Sequence, residues 1–142
     1  MEFVKDDILI VMRNLLLISA LLFSFNGWAY SETDLAKLKA TGACEGCDLS
    51  GAILSYLNLG GANLSGANLG GADLRKTSFS MLAILSGADL SGAILAFANL
   101  SGADLRGADF TGAFVGSQAR LAGAKYCKTK IRRKERNDDC EE

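Results

Sequence analysis

A large apolar residue recurs every fifth position through the middle of the chain, and Ala stands two residues before most of these positions. A helix would space its apolar residues by three and four, and a strand would space them by two, so the pattern predicts neither element. The small position holds another residue at Cys47, Leu57 and Thr77. The large residues are Leu49, Leu54, Leu59, Leu64, Leu69, Leu74, Phe79, Leu85, Leu90, Leu95, Leu100, Leu105, Phe110, Val115, Leu121 and Tyr126.

This period predicts a chain that turns a corner in every unit, with the large residue on an axis and the small residue beside it. Four sides would close one square coil of about twenty residues. Gly often stands two residues after the large residue, as at Gly66 and Gly92, where a tight corner favours positive φ. Single extra residues after Phe79 and after Val115 are expected to form local bulges that preserve the phase.

The runs GANLS, GANLG, GADLR, GADLS and GADF closely resemble the pentapeptide-repeat proteins, whose pattern is A-(D/N)-L-x-x. The resemblance covers residues 47–127, and it departs from the pattern at Leu57, at residues 77–79 and at the two insertions. It implies an all-β solenoid, namely a right-handed quadrilateral β-helix of about four coils. Stacked at the usual strand spacing, these coils would form a rod about 20 Å long.

Residues 1–31 read as a signal peptide. The apolar run Leu15–Phe25 is too short for a membrane span, which needs about 20 residues, but it suits a signal core. Ala29-Tyr30-Ser31 offers small residues for cleavage before Glu32, and cleavage after Ala29 is the alternative. The acidic start of the chain suggests that translation begins at Met12. An uncleaved membrane anchor is the competing interpretation.

The repeats are flanked by segments of different character. Residues 32–46 are interpreted as an N-terminal capping segment with a short helix, in which Leu35 and Leu38 share a face and Gly42 ends the helix. Residues 128–142 form a charged tail, basic through Arg136 and acidic afterwards. The basic run could contact anionic lipid, or the tail could be simply solvated.

The chain has four cysteines, an even number that suggests disulfides in an exported protein. Cys44 and Cys47 precede the repeats and Cys127 and Cys140 follow them, so the two pairs would lie at opposite ends of the rod. A zinc site needs every sulfur within about 2.3 Å of the metal, which disfavours one shared site. We therefore expect the pairs Cys44–Cys47 and Cys127–Cys140. A redox-active pair is the alternative for the first.

The composition narrows the chemistry further. The chain has no His, which excludes a His-dependent triad and a His-bound metal. Its net charge is −1, so no global field favours nucleic acid. No repeat position gathers a nucleophile, a base and an orienting group. We predict that the protein is not an enzyme and has no cofactor, no metal and no nucleic-acid partner.

Counting repeats in fours sorts the outward residues into faces. One face stacks Asp48, Asn68, Asp89 and Asp109. The next face and its corner carry large apolar residues, and such patches often mark partner sites. Simple tolerance of apolar residues, or cover by a terminal segment, would also account for them. The candidate partner face consists of Ile53, Tyr56, Ile94, Phe97 and Phe114.

These features predict an exported structural or protein-interaction scaffold in the periplasm or beyond, with no stable membrane anchor after cleavage. Its partner would be another protein or a second copy. The alternative is a DNA mimic acting on a type II topoisomerase, an activity that some pentapeptide-repeat proteins show and that the resemblance therefore implies as a possibility. That activity goes with a cytoplasmic and strongly acidic rod, which the predicted signal and the near-zero charge disfavour.

Overall fold

The computed structural model describes residues 30–131, 134–136 and 140. The predicted signal peptide lies outside the described residues except for Tyr30 and Ser31. Within the described ranges, the regular elements are a helix, α1 (Glu32–Thr41), and the short strands β1 (Asp109–Phe110), β2 (Thr129–Ile131) and β3 (Lys134–Arg136). The rest of the fold consists of corners and single-residue parallel bridges.

The bridges confirm a four-sided β-solenoid. Residues at the Asp/Asn position of one coil pair with the residues 20 or 21 positions later, so one turn takes four units. The pairing continues through both insertions, as Asn63↔Ile84 and Asn99↔Arg120 illustrate. The extra residues therefore keep the phase, as predicted. The columns run Asp48–Asn68–Asp89–Asp109, Ile53–Asp73–Ile94–Phe114, Asn58–Ser78–Asn99–Arg120 and Ala43–Asn63–Ile84–Asp104–Lys125.

The core lies on the axis of the coils. The large residue of every unit from Leu49 to Phe110 is buried, and the residue two positions earlier, usually Ala, is buried beside it except at Leu57, which is only partly buried. Thr77 takes the place of one such Ala, and its hydroxyl donates to the Leu54 carbonyl at 2.7 Å. A buried hydroxyl needs such a partner. Near the C-terminal end the axial residues Val115 and Leu121 are only partly buried.

Two local devices turn each ordinary corner. An Asp or Asn side chain accepts a hydrogen bond from the backbone N–H two residues on, as Asn63 does from Ser65 at 3.1 Å. This is an Asx turn, which favours a tight reversal of the chain. A Gly with positive φ follows, as at Gly66 with φ 63°. The combination explains why the Asp/Asn and Gly positions recur with the apolar ones.

Helix α1 begins and ends as the sequence predicts. The Ser31 hydroxyl accepts from the Asp34 N–H at 3.2 Å, and Gly42 in the left-handed conformation donates to the Leu38 carbonyl at 2.9 Å. Such caps satisfy backbone groups that a helix end leaves unpaired. Leu38 is buried and Leu35 packs against the core, so the helix covers the first coil.

Both expected cysteine pairs lie at disulfide-bonding distance, Cys44–Cys47 and Cys127–Cys140. Cys44 occupies an axial position and Cys47 a small position, and both are buried. The Cys47 N–H donates to the Cys44 carbonyl, as the Ala52 N–H donates to Leu49 at an ordinary corner. The first disulfide thus replaces one Leu–Ala contact and lies inside the first coil rather than ahead of it.

The ladder also continues beyond Cys127, the residue at which we expected the repeats to end. Strand β2 pairs in parallel with β1, with Asp109 opposite Lys130 and Phe110 opposite Ile131. Strand β3 then returns antiparallel to β2. Residues 129–131 therefore form one more unit, with Thr129 buried at the small position. The charged tail begins after this unit.

Candidate partner surface

The column of Ile53, Asp73, Ile94 and Phe114 runs along one side of the solenoid. Its members pair through the parallel bridges, so their side chains project from successive coils of the same side. Ile53 is 72% exposed and Phe114 is 62% exposed, because neither side chain points to the axis of the coils. The apolar face is defined here as the apolar residues of this column, Ile53, Ile94 and Phe114, together with Tyr56 and Phe97 at the adjoining corner. The structure brings all five predicted residues together on one side.

Tyr56, Lys76 and Phe97 stack at the corner of this face and are here called the aromatic ridge. The Lys76 Nζ lies 5.0 Å from the centre of the Tyr56 ring and 5.9 Å from the centre of the Phe97 ring. A cation at this distance from an aromatic face is attracted by the ring quadrupole. All three side chains are exposed, so the ridge presents two aromatic rings with a positive charge between them.

The ridge residues adopt a backbone conformation that their side chains disfavour. Tyr56, Lys76 and Phe97 have φ of 65°, 56° and 62°, in the region that Gly occupies at ordinary corners such as Gly51. An L-residue there costs roughly 1–2 kcal/mol. Met81, Leu82 and Lys128 also have positive φ, so the ridge is distinguished by having three such residues in one column.

Two of the three ridge units, and the unit of Phe114, also lack the Asx turn. Ile53, Ile94 and Phe114 stand where Asp or Asn would accept the hydrogen bond, and none of their side chains can accept one. The unit of Asp73 keeps that bond, to the Arg75 N–H at 3.1 Å. The apolar face therefore carries bulky side chains at positions where the fold itself favours small or polar ones.

A salt bridge interrupts the apolar column. The Arg75 guanidinium donates to both carboxylate oxygens of Asp73, at 2.8 and 2.6 Å. This hydrogen bonding lowers the pKa of Asp73 from its ordinary value, and it outweighs the opposing effect of burial. The carboxylate therefore stays ionised and paired, and it places no unpaired negative charge in the middle of the face.

The side next to the apolar face carries the acidic stripe of Asp48, Asn68, Asp89 and Asp109. Part of its charge is compensated within the described residues. Asn68 donates to Asp48 at 3.3 Å, and Lys130 forms an ion pair with Asp109 at 3.3 Å. Hydrogen bonds from Thr111 and then from Lys130 lower the pKa of Asp109. Asp89 lies at the middle of the stripe and accepts a hydrogen bond from the Ser91 N–H at 2.8 Å.

Sequence reasoning missed three exposed apolar residues, Met81, Leu82 and Ile84. Met81 and Leu82 lie at the first insertion, are exposed, and have φ of 63° and 65°. They lie at a different corner from the aromatic ridge, between the columns of Ser78 and Ile84. The six-residue spacing located the bulge but carried no signal for the direction of its side chains.

One further concavity in the described part of the chain offers little chemistry. A shallow cavity of about 240 Å³ lies between α1 and the first coil, lined by Leu38, Leu57 and Leu59 with Lys39 and Asn58 at its polar side. Leu57 takes the place of a small residue there. Among the described residues, no group of three or more acidic, Cys or His side chains could hold a metal ion. Within the same ranges, no helix has the length and apolar character needed to cross a membrane.

The profile for pentapeptide repeats matches residues 43–80 and 83–115 in 8 copies. No curated protein sequence matches the chain significantly. A similar solved structure is HetL, a pentapeptide repeat protein involved in heterocyst differentiation regulation in the cyanobacterium Nostoc sp. strain PCC 7120. It is 39% identical over 61% of this chain, with a TM-score of 0.57.

Two other similar structures are cyanobacterial pentapeptide repeat proteins. One, from Nostoc PCC 7120, is 32% identical, with 79% of this chain and 88% of that chain covered and a TM-score of 0.36. The other, from Cyanothece 51142, is 28% identical, with 69% and 97% covered and a TM-score of 0.36. The matched part spans 39% of the length of HetL.

Proposed function

Because the chain belongs to the pentapeptide-repeat family, we propose that it is an exported, non-enzymatic scaffold that binds a protein through its apolar face. Its body would be a right-handed quadrilateral β-helix of about four coils, the form that this family adopts. A rigid rod presents side chains at fixed spacing without an ordering penalty at binding, which suits a recognition surface.

The observation that carries this proposal is the coincidence of three features in the same units. Ile53 and Ile94 replace Asx-turn residues, Tyr56 and Phe97 occupy strained corners, and all four side chains are exposed. Tolerance of apolar residues would explain exposure alone. It does not explain why the bulky residues gather where each one makes its own corner less stable. Binding to a partner would compensate for both losses.

The proposed location is the periplasm or the medium. Disulfides persist in oxidising compartments and are rare in the cytosol, and both cysteine pairs lie at bonding distance. The contacts of Ser31 bear on the cleavage point. Its hydroxyl caps α1 and its N–H donates to the Asp48 carbonyl at 2.9 Å, so cleavage before Glu32 would remove both bonds. These contacts favour the alternative cleavage after Ala29.

The test is a pull-down from the exported fraction with the wild-type protein and two variants. The double variant Ile94→Ser/Phe97→Ser removes the centre of the apolar face without touching an axial residue. Ile84→Ser is the matched control, because Ile84 is 37% exposed and Ile94 is 39% exposed in equivalent columns. Loss of partner only in the double variant supports the proposal. Equal capture by all three proteins, each folded, would refute it.

A further inference from the structure

The apolar face has two unlike edges. The aromatic ridge forms one edge, with a large side chain in each of three successive coils. The opposite edge is a row of small residues in the same coils, and each pair there includes a Gly with positive φ. These pairs are Ser50–Gly51, Gly70–Gly71 and Ser91–Gly92. The face is therefore high along one edge and low along the other.

From this asymmetry we propose that the partner of the apolar face is a second copy of this chain, packed side by side with its axis parallel to the first. This inference rests on the proposed function and names the occupant of the same surface. A two-fold axis running along the rods exchanges the two edges of the face and keeps every coil at its own height. The ridge of each copy then meets the row of small residues of the other.

The pattern along the column favours the same arrangement. With the heights preserved, Ile53, Ile94 and Phe114 each face their own counterpart, so apolar rows meet apolar rows. The Asp73–Arg75 pairs also meet at one height, where each carboxylate can accept from the other copy's guanidinium. An antiparallel dimer centred on the column would instead place Asp73 opposite Ile94. Each Asp73–Arg75 ion pair would then be buried against an apolar side chain, where loss of hydration is unfavourable and no second pair compensates for it.

Charge is complementary as well. The row of small residues borders the acidic stripe, so the parallel arrangement brings Lys76 towards the partner copy's stripe. Lys76 belongs to the coil of Asn68, and Asp48 and Asp89 lie one coil before and after it. Its charge would therefore lie between two carboxylates. In the antiparallel arrangement ridge would meet ridge, and both rows of small residues would be left unfilled.

The expected dimer is of moderate affinity. One face of a rod about 20 Å long can bury several hundred Å² per copy, towards the small end of specific interfaces. We expect a dissociation constant in about the micromolar range, since the entropy of association offsets much of the hydrophobic gain. Because a two-fold axis relates the copies, one substitution changes both sides of the interface.

The arrangement is tested by single-cysteine cross-linking of the exported protein, whose native cysteines are paired. Ile53→Cys, Ile94→Cys and Phe114→Cys should each form covalent dimers alone with a short thiol-specific bifunctional cross-linker, because each position faces itself. Packed sheet faces lie about 10 Å apart, beyond the roughly 7 Å between Cα atoms that a direct disulfide needs. Ile84→Cys, in an equivalent column of another side, is the control and should stay monomeric. Cross-linking of only one of the three, or only of Ile53→Cys mixed with Phe114→Cys, would indicate an antiparallel dimer and overturn the proposal.

Sedimentation equilibrium supplies the second measurement. Ile94→Ser should raise the dimer dissociation constant by about tenfold or more, whereas Ile84→Ser should leave it within twofold of wild type. A wild-type protein that stays monomeric at about 100 times the expected dissociation constant would overturn the second copy as partner. The pull-down then judges the proposed function separately, since a foreign partner lost with Ile94→Ser/Phe97→Ser would preserve that function.

Discussion

At the scale of single residues, Leu95 illustrates how the axis is stabilised. It is completely buried, lies in a central coil and has coils on both sides. Leu95→Ala should lower the free energy of unfolding by about 2–5 kcal/mol, because the rigid neighbouring coils cannot collapse into the cavity. The same range holds for Leu90, which is equally buried. Denaturant unfolding followed by circular dichroism measures the loss.

The control for this prediction is Leu121→Ala, at the C-terminal end of the stack. Leu121 is only partly buried, so its truncation removes less contact and should be milder than that of Leu95. A loss below about 1 kcal/mol for Leu95→Ala, well under the range for core leucines, would contradict the axial assignment.

Leu82 illustrates the opposite case, a residue whose backbone conformation is unfavourable for its side chain. It is exposed and has φ of 65°. Leu82→Gly should be more stable than Leu82→Ala by about 0.5–1 kcal/mol, because relief of the left-handed strain exceeds the entropy that Gly adds to the unfolded chain. The Ala variant keeps the strain and loses the side chain, so the comparison isolates the backbone. Equal midpoints in urea would indicate that this corner carries no strain.

At the scale of elements, the first coil is held by a disulfide that imitates an ordinary unit. Cys44 lies at an axial position and Cys47 at a small position, with a sequence separation of 3. Because the disulfide closes so short a loop, the entropy that it removes from the unfolded chain stabilises the folded state by only about 2 kcal/mol. The double variant Cys44→Leu/Cys47→Ala restores the common pattern, so packing should recover part of this loss.

The comparison for this prediction is Cys44→Ser/Cys47→Ser, which loses the crosslink and also buries two hydroxyls. Thermal unfolding should rank the midpoints wild type, then Leu/Ala, then Ser/Ser. A Leu/Ala variant that is no more stable than Ser/Ser would mean that Cys44 and Cys47 are not equivalent to the Leu and Ala of a unit. The order of the two midpoints, rather than the absolute loss of stability, tests whether Cys44 and Cys47 are equivalent to the Leu and Ala of a unit.

How far the sequence predicts these elements depends on whether a unit keeps both of its apolar positions. Where Leu and Ala recur together, as through Leu90 and Leu95, the axis, the corners and the pairing phase follow from the period. At Cys44 and at Thr129–Ile131 the residue types change while the geometry persists, so the ladder extends at both ends beyond the predicted range. The five-residue pattern is recognised by residue type, whereas the coil requires only that the side chains at the two positions have a suitable size.

The candidate surface divides in the same way. Assignment of Ile53, Ile94 and Phe114 to one side needs only the count of repeats and phase-preserving bulges. The cation between the rings of Tyr56 and Phe97 depends on side-chain placement, and so does the strained backbone beneath it. The direction of Met81 and Leu82 depends on how one extra residue is accommodated in a corner. None of these features changes the five-residue period, so the pattern of the sequence does not predict them.

At the scale of the whole molecule, the N-terminus links folding to export. We expect the exported protein to begin at Tyr30, after removal of the segment that contains the apolar run. Tyr30 packs against the core, the Ser31 N–H donates to Asp48, and the Ser31 hydroxyl caps α1. A chain that began at Glu32 would lack these contacts, and loss of an N-cap alone costs about 1 kcal/mol.

N-terminal sequencing and intact mass of the protein from the exported fraction decide between the two cleavage points, which differ by two residues. A recombinant chain that begins at Glu32 should unfold at lower denaturant concentration than one that begins at Tyr30, because α1 would lose its cap while the coils keep their bridges. The variant Ser31→Ala in the longer chain separates the cap from the Tyr30 contact, and its stability should fall between the two. Protein that carries Met1 or Met12 and stays in the cytoplasm with reduced cysteines would contradict both the processing and the export on which the proposed scaffold depends.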